Sequence, residues 1–208
     1  MVPAVPKDID STWLKKLLVQ LNTADIPEFI VCLPDAKSLV NECFLNVEAK
    51  IKNKGGKAIY GWQIWQTEHL IEAEFHAVWE SGDGVVLDVT PKPFQVESIM
   101  FVRDLDTPYI GRQIDNVRIN TSGNALIDDL IRVCEAKFKL ENKGERAEQY
   151  NIRLTAQETD EWEFLEQMRK YISLLVAKGS TKNQQCFCGR DKYKKCHGRV
   201  LNQLLERL

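Results

Sequence analysis

Histidine is scarce in this chain, with three in 208 residues, which leaves few candidates for a catalytic base. Net charge is almost absent too, at −2, and the chain as a whole carries no polyelectrolyte signal for nucleic acid or membrane surfaces. Internal repeats and low-complexity segments are missing, which removes solenoids and disordered arrays. No apolar run reaches the length of a membrane span, and the opening MVPAVPKDID has none of signal-peptide length. Six cysteines are too few and too scattered for a secreted disulfide framework. The sequence therefore predicts a cytoplasmic protein with no membrane association.

What is present is ordinary in bulk and uneven in detail. A chain of this length holds one domain of typical size and a small appendage, and 44% hydrophobic with 28% charged residues is usual for a globular chain. Residues 179–208 carry seven Lys/Arg against Asp191 and Glu206, a formal +5, which leaves −7 on the remainder. Ser11 caps a first helix, TWLKKLLVQLN, with Trp13, Leu17, Leu18 and Leu21 on one face. EFIVCL is a short buried strand that makes Cys32 a core residue. Val40, Phe44, Val47 and Ile51 repeat with helical spacing between about Ser38 and Lys52, and Gly55-Gly56 ends that helix. KAIYGWQIWQ, EHLIEAEFHAVWE and VVLDVTP then read as three antiparallel strands, with strand material again in VESIMFVRD and NVRIN around the turn-prone DTPYIG. A helix follows from Asn124 to about Leu140. Thr155 and Glu158 form a capping box for a long helix striped by Trp162, Leu165, Met168, Ile172 and Leu175. GSTKNQQ is a polar linker, and GRVLNQLLERL a short amphipathic end helix.

Cys186, Cys188, Cys196 and His197 place three thiols and an imidazole in twelve residues, CFCGRDKYKKCH. Tetrahedral zinc takes four such donors, Gly189 lets the chain turn about the ion, and the interleaved cations offset three thiolates. The segment resembles the SEC-C motif, which pairs CxC with a basic spacer and then CC or CH. The resemblance implies structural Zn2+ held by all four residues, and a protein partner or a ribosome-like surface docked on the module.

The remaining chemistry lies between Glu42 and Pro91. A thiol attacks as its thiolate and needs a base and a field that favours the anion. With His197 committed to metal and His69 at a strand entry, His76 is the candidate base for Cys43. If Asn41 caps the helix, Cys43 sits in its first turn, where the macrodipole favours a thiolate; if the helix starts at Asp35 or Ser38, that effect fades. Alternation in IEAEFHAVW puts Glu72, Glu74, His76 and Val78 on the polar face of a strand whose other face packs inward. A three-residue turn at 81–83 would pair Glu80 with Gly84 and set Asp88 directly opposite His76, whereas an even-length loop would send the two to opposite faces. Cysteine, histidine and aspartate in this order, over about residues 35–92, resemble the papain-like and transglutaminase-like superfamily. That resemblance implies an acyl-transferring or amide-hydrolysing enzyme with Cys43 as nucleophile, His76 as general base and Asp88 as its orienter. The upstream oxyanion glutamine of such enzymes has no clear counterpart, Gln20 and Gln63 being the glutamines at hand.

The expectation is thus an α+β protein. Residues 1–178 form a domain with helices packed on an antiparallel sheet, a papain/transglutaminase-like core, and residues 179–208 form a small zinc module. Its leading function is that of a cysteine hydrolase or acyl transferase of protease, deamidase or amidase type. The alternative is a non-catalytic zinc-binding adaptor in which Cys43 is core and His76–Asp88 a structural pair. That adaptor could associate with RNA or the ribosome through its basic tail.

Overall fold

The computed structural model describes residues 3–107, 109–149 and 151–208. Helix α1, Thr12–Gln20, starts where the Ser11 hydroxyl accepts from Leu14 N–H, and buries Leu14 and Leu17 completely, worth about 1.5–3 kcal/mol each. Strand β1 is Glu28–Val31, and helix α2 is Cys43–Lys54. Four strands follow: β2, Lys57–Gln66; β3, Leu70–Glu80; β4, Val86–Leu87; and β5, Ser98–Arg103. Beyond the DTPYIG turn, of which Pro108 lies outside the described residues, comes β6, Val117–Asn120. Helix α3, Ala125–Glu141, is capped by Asn124, where the predicted helix begins, and α4, Ala156–Ala177, starts at the predicted cap Thr155; the Thr155–Glu158 capping box is formed. Helix α5, His197–Leu205, ends the element order.

All named strand pairs are antiparallel, in the order β1-β5-β2-β3-β4, with β6 on the first half of β3. The sheet curls until its two ends meet. Asp88 N–H donates to Val31 O at 2.9 Å and Leu33 N–H donates to Asp88 O at 2.8 Å, so Asp88 joins the β4 end to the β1 end.

This curl corrects the expectation of one polar face. On the face that carries His76, Ile30, Ile59, Trp65, Val78, Ile99 and Phe101 form an apolar cluster, and His76 itself is 3% exposed. Curling turns that face toward the sheet's own far side, so it is buried as thoroughly as the other. The second face packs Trp62, Ile64, Phe75, Met100 and Val102 against Leu14 and Leu17 of α1, and Ala77, Trp79 and Val89 against Cys43 and Val47 of α2. Gly61 lies across from His76, and a Cβ there would fall 2.2 Å from Val102 O, so only glycine permits β2 and β5 to approach so closely.

Helices α3 and α4 pack on each other through Leu126, Leu130, Val133, Leu165, Met168 and Ile172, and Tyr193, Leu201 and Leu204 of the C-terminal tail belong to the same cluster. The tail is also clamped electrostatically. Asp129 of α3, 1% exposed, accepts from the Tyr193 hydroxyl at 3.1 Å and from Lys182 Nζ at 2.7 Å. No helix among the described residues is long and apolar enough to cross a membrane.

Candidate functional site

Helix α2 begins five residues later than the apolar repeat predicts, and the cause is local. Asn41 takes a left-handed φ of 65°, which stops helix from running back to Ser38, and Val40 is left exposed. Asn46 then reaches back out of α2 and brackets Leu39, accepting from its N–H at 3.0 Å and donating to its carbonyl at 2.8 Å. The first helical hydrogen bond is Asn46 N–H to Glu42 O, so Cys43 occupies the first helical position, ahead of the hydrogen-bonded ladder. The residue is 7% exposed.

Strand β3 supplies the base. It pairs with β2 along its whole length, but on its other edge β6 covers only Leu70–Ala73 and β4 only Trp79–Glu80. The intervening stretch, which holds Glu74 and His76, is uncovered by any strand among the described residues. Cys43 and Asn41 meet it there, lining with Glu74 and His76 a cavity of about 230 Å³ that also includes Gln63, Trp65, Thr90 and Lys92. A second cavity of about 400 Å³, lined by Phe44, Asp115, Arg118, Lys137 and Glu141 among others, shares Asn41, Cys43 and Glu74 with the first.

Asp88 and His76 come together, though not in the predicted register. The hairpin pairs Glu80 with Val86, not Gly84, so its loop is two residues longer than expected, and continuing that register puts Asp88 across from Val78, two positions from His76. The odd loop length is kept, and with it the shared face. His76 Nε2 lies 3.1 Å from Asp88 Oδ1. The other carboxylate oxygen takes Lys92 Nζ at 2.6 Å, and Thr90 N–H donates to Oδ1 at 3.0 Å. Lys92, 6% exposed, also donates to Gln63 Oε1 at 2.9 Å and sits 3.3 Å from His76 Nε2. Because the ammonium is satisfied by two oxygens, the carboxylate contact assigns the Nε2 proton to the His76–Asp88 bond. Nδ1 is then the nitrogen available to accept a proton.

Burial and the Lys92 ammonium both oppose protonation of His76, yet Asp88, with Cys43, outweighs them and raises its pKa to about 9. Burial likewise opposes ionisation of Asp88, and His76 and Lys92 overcome it to lower that carboxyl to about 2. Cys32 Sγ lies 3.8 Å from Asp88 Oδ2, and burial with that carboxylate pushes its thiol up to about 11. Burial also raises Cys134. Lys92 and Thr90 escaped the sequence reading because their part in the site depends on how the irregular 88–94 segment folds back, which no periodicity encodes. Gln63 stands on β2 beside the site. The aromatic set Tyr60, Trp62, Trp65 and Trp79 is sheet packing, with the indole N–H groups bonded to Asp104, Glu74 and Gly55, although Trp65 also reaches the smaller cavity.

In the tail, Cys186, Cys188, Cys196 and His197 each offer one donor atom, all within 4.8 Å of one another. Tetrahedral coordination at ordinary metal–sulfur and metal–nitrogen lengths sets donors about 3.5–3.8 Å apart. Here Cys186 Sγ is 3.1 Å and Cys196 Sγ 3.5 Å from His197 Nδ1, and Cys188 Sγ is 3.2 Å from Cys196 Sγ. The set therefore fits a metal ion after small outward shifts. A tight turn, Gly189 N–H to Cys186 O at 2.9 Å, presents the first two thiols, and Gly189 takes the φ of 73° that the turn needs. Cys196 caps α5 and His197 is its first residue. Gly198 lies against Tyr193, where a Cβ would come 2.8 Å from the ring. No family model, curated protein or solved structure matches this chain.

Proposed function

We propose that the protein performs thiol chemistry on an acyl or amide group, as a hydrolase or an acyl transferase. The observation that carries this reading is that Cys43, at the start of α2, lines one cavity with His76, whose Nε2 is held by Asp88. Cys43 Sγ, its proton already held on His76 Nδ1, attacks the carbonyl carbon as a thiolate, forming a tetrahedral oxyanion. The N–H groups at the start of α2 and the helix dipole stabilise that charge. Collapse breaks the acyl bond, the leaving amine takes the proton from the imidazolium, and a thioester remains. Water or a second amine, deprotonated by the same imidazole, then releases the acyl group and restores the thiol. Asp88 fixes the ring and stabilises its charged form.

The test is the rate of iodoacetamide labelling against pH, read on the peptide that holds Cys43. A functional Cys43 labels before Cys32 and Cys134, with an apparent pKa well below about 8.5. His76→Ala removes the base and slows labelling at neutral pH, and Asp88→Asn slows it less. Labelling of Cys32 or Cys134 first, or a loss of several kcal/mol in Cys43→Ser, makes Cys43 a packing residue and leaves the adaptor reading.

The tail is read as a structural zinc module. Three thiols and one imidazole are the donor set that tetrahedral zinc prefers, and all four positions come from protein, as a structural site requires. Its exposed Phe187 and the exposed cations Arg190, Lys192, Lys194 and Lys195 support docking of an acidic protein partner.

A further inference from the structure

We infer that Glu74 makes this a site for substrates bearing a protonated amine close to the attacked carbonyl. The inference rests on the thiol chemistry proposed for Cys43 and names its substrate class. Glu74 stands two residues before His76 on the same face of β3 and lines both cavities that Cys43 lines. One oxygen, Oε2, is fixed by two neutral donors, Gln63 Nε2 at 2.6 Å and Trp65 Nε1 at 3.1 Å. Those bonds hold the carboxylate in place without cancelling its charge, and Glu74 forms no ion pair among the described residues.

The charges around it do not supply the missing cation. Lys92 is taken by Asp88. In the larger cavity Arg118 holds Glu72 and Asp115, while Lys137 and Arg169 hold Glu166. With Cys43 as thiolate and His76 as imidazolium, the pair that reacts, those two charges cancel, and with Asp88, Lys92 and Glu74 the group carries −1. The surplus charge is that of Glu74, and it lies beside the nucleophile in a partly dewatered space, where a unit charge acts strongly. An ammonium completes that arrangement; a substrate carboxylate would meet repulsion. The anchored Oε2 also fixes where the ammonium must sit, so Glu74 determines which acyl groups reach Cys43 and not only their overall charge.

Three methanethiosulfonates that differ in charge test this: aminoethyl (cationic), methyl (neutral) and sulfonatoethyl (anionic). Each forms a disulfide with Cys43 Sγ and releases methanesulfinate. Rates are read by mass spectrometry on the Cys43 peptide of the metal-loaded protein and normalised to 2-mercaptoethanol. The cationic reagent should be favoured over the neutral one by about tenfold or more, and the anionic one disfavoured. Glu74→Gln, which can still accept from Gln63 and Trp65, should bring the ratio close to one. A ratio near one in the unaltered protein, or preference for the anionic reagent, overturns the inference while leaving Cys43 reactive. A second arm does not need the thiol. In Cys43→Ser, n-butylammonium should shift the indole N–H resonance of Trp65 and n-butanol should not; no shift in that arm also overturns it. If Cys43 labels no faster than Cys32 with all three reagents, the thiol chemistry fails, and the butylammonium arm alone then decides whether Glu74 binds an amine.

Discussion

At the scale of single residues, the His76–Asp88 pair links stability to pH in two opposite directions. His76 is raised from 6.5 to about 9, so its contribution is complete below 6.5 and is lost as pH rises toward 9. Asp88 is lowered from 3.8 to about 2, so its contribution is complete above 3.8 and is lost as pH falls through 2. Urea midpoints should therefore be flat between those windows and fall on both sides, and His76→Gln should remove the alkaline fall and weaken the acid one, since His76 is the main cause of the lowered Asp88 carboxyl. A midpoint that rises from pH 6.5 to 9 would contradict this assignment. Lys92→Met leaves a buried carboxylate short of its shortest ion pair and should cost about 3 kcal/mol in urea unfolding; a neutral result would mean that the ammonium adds nothing. Cys43, His76 and Asp88 were legible in the sequence because scarcity and parity single them out. Lys92 was not, since a lysine among prolines looks like a solvated loop until the chain is seen to fold back over Asp88.

At the scale of elements, the site depends on where α2 starts and on how closely β2 meets β5. The apolar repeat marks the helix but not its first residue, because Asn41 ends the helical path for a backbone reason that hydrophobic spacing does not record. Asn46→Ala removes both bonds to Leu39 and its bond to Thr90, at 3.2 Å. The expected cost is about 2 kcal/mol. Labelling of Cys43 should slow as well, because the turn that delivers it loosens; an unchanged rate would show that the helix start holds without that bracket. Gly61→Ala tests the strand approach. Its Cβ would meet Val102 O and the Phe101 ring, and neither the strand backbone nor a buried ring can withdraw cheaply. Destabilisation of about 3 kcal/mol is expected, visible as a lower denaturant midpoint at constant slope. Strand identities were readable from alternation. The curl was not, because burial of both faces follows from the meeting of β1 and β4, a pairing between distant segments.

At the scale of the whole molecule, the tail's ligand set was the plainest feature of the sequence, since four donors in twelve residues need no tertiary knowledge to notice. Its attachment was hidden: the spacing of Cys186–His197 says nothing of Tyr193 reaching Asp129. Metal analysis of protein purified without chelator should give about one equivalent per chain, and Cys188→Ser should lose it. Because Tyr193, Leu201 and Leu204 share a core with α3 and α4, removal of the ion should lower the melting temperature of the helical part and not merely free the tail. Retention of metal by Cys188→Ser would remove the ligand assignment. The closure of the sheet at Asp88 has a consequence in time. The residue that orients His76 is also the one whose backbone joins the sheet's two ends, and its bridge partner Cys32 lies 56 positions away. Contacts of such separation form late, after local hairpins and helices. A chain part-way to its native state would therefore hold its thiol without an oriented base, and reactivity would arise only with the last long-range step of folding.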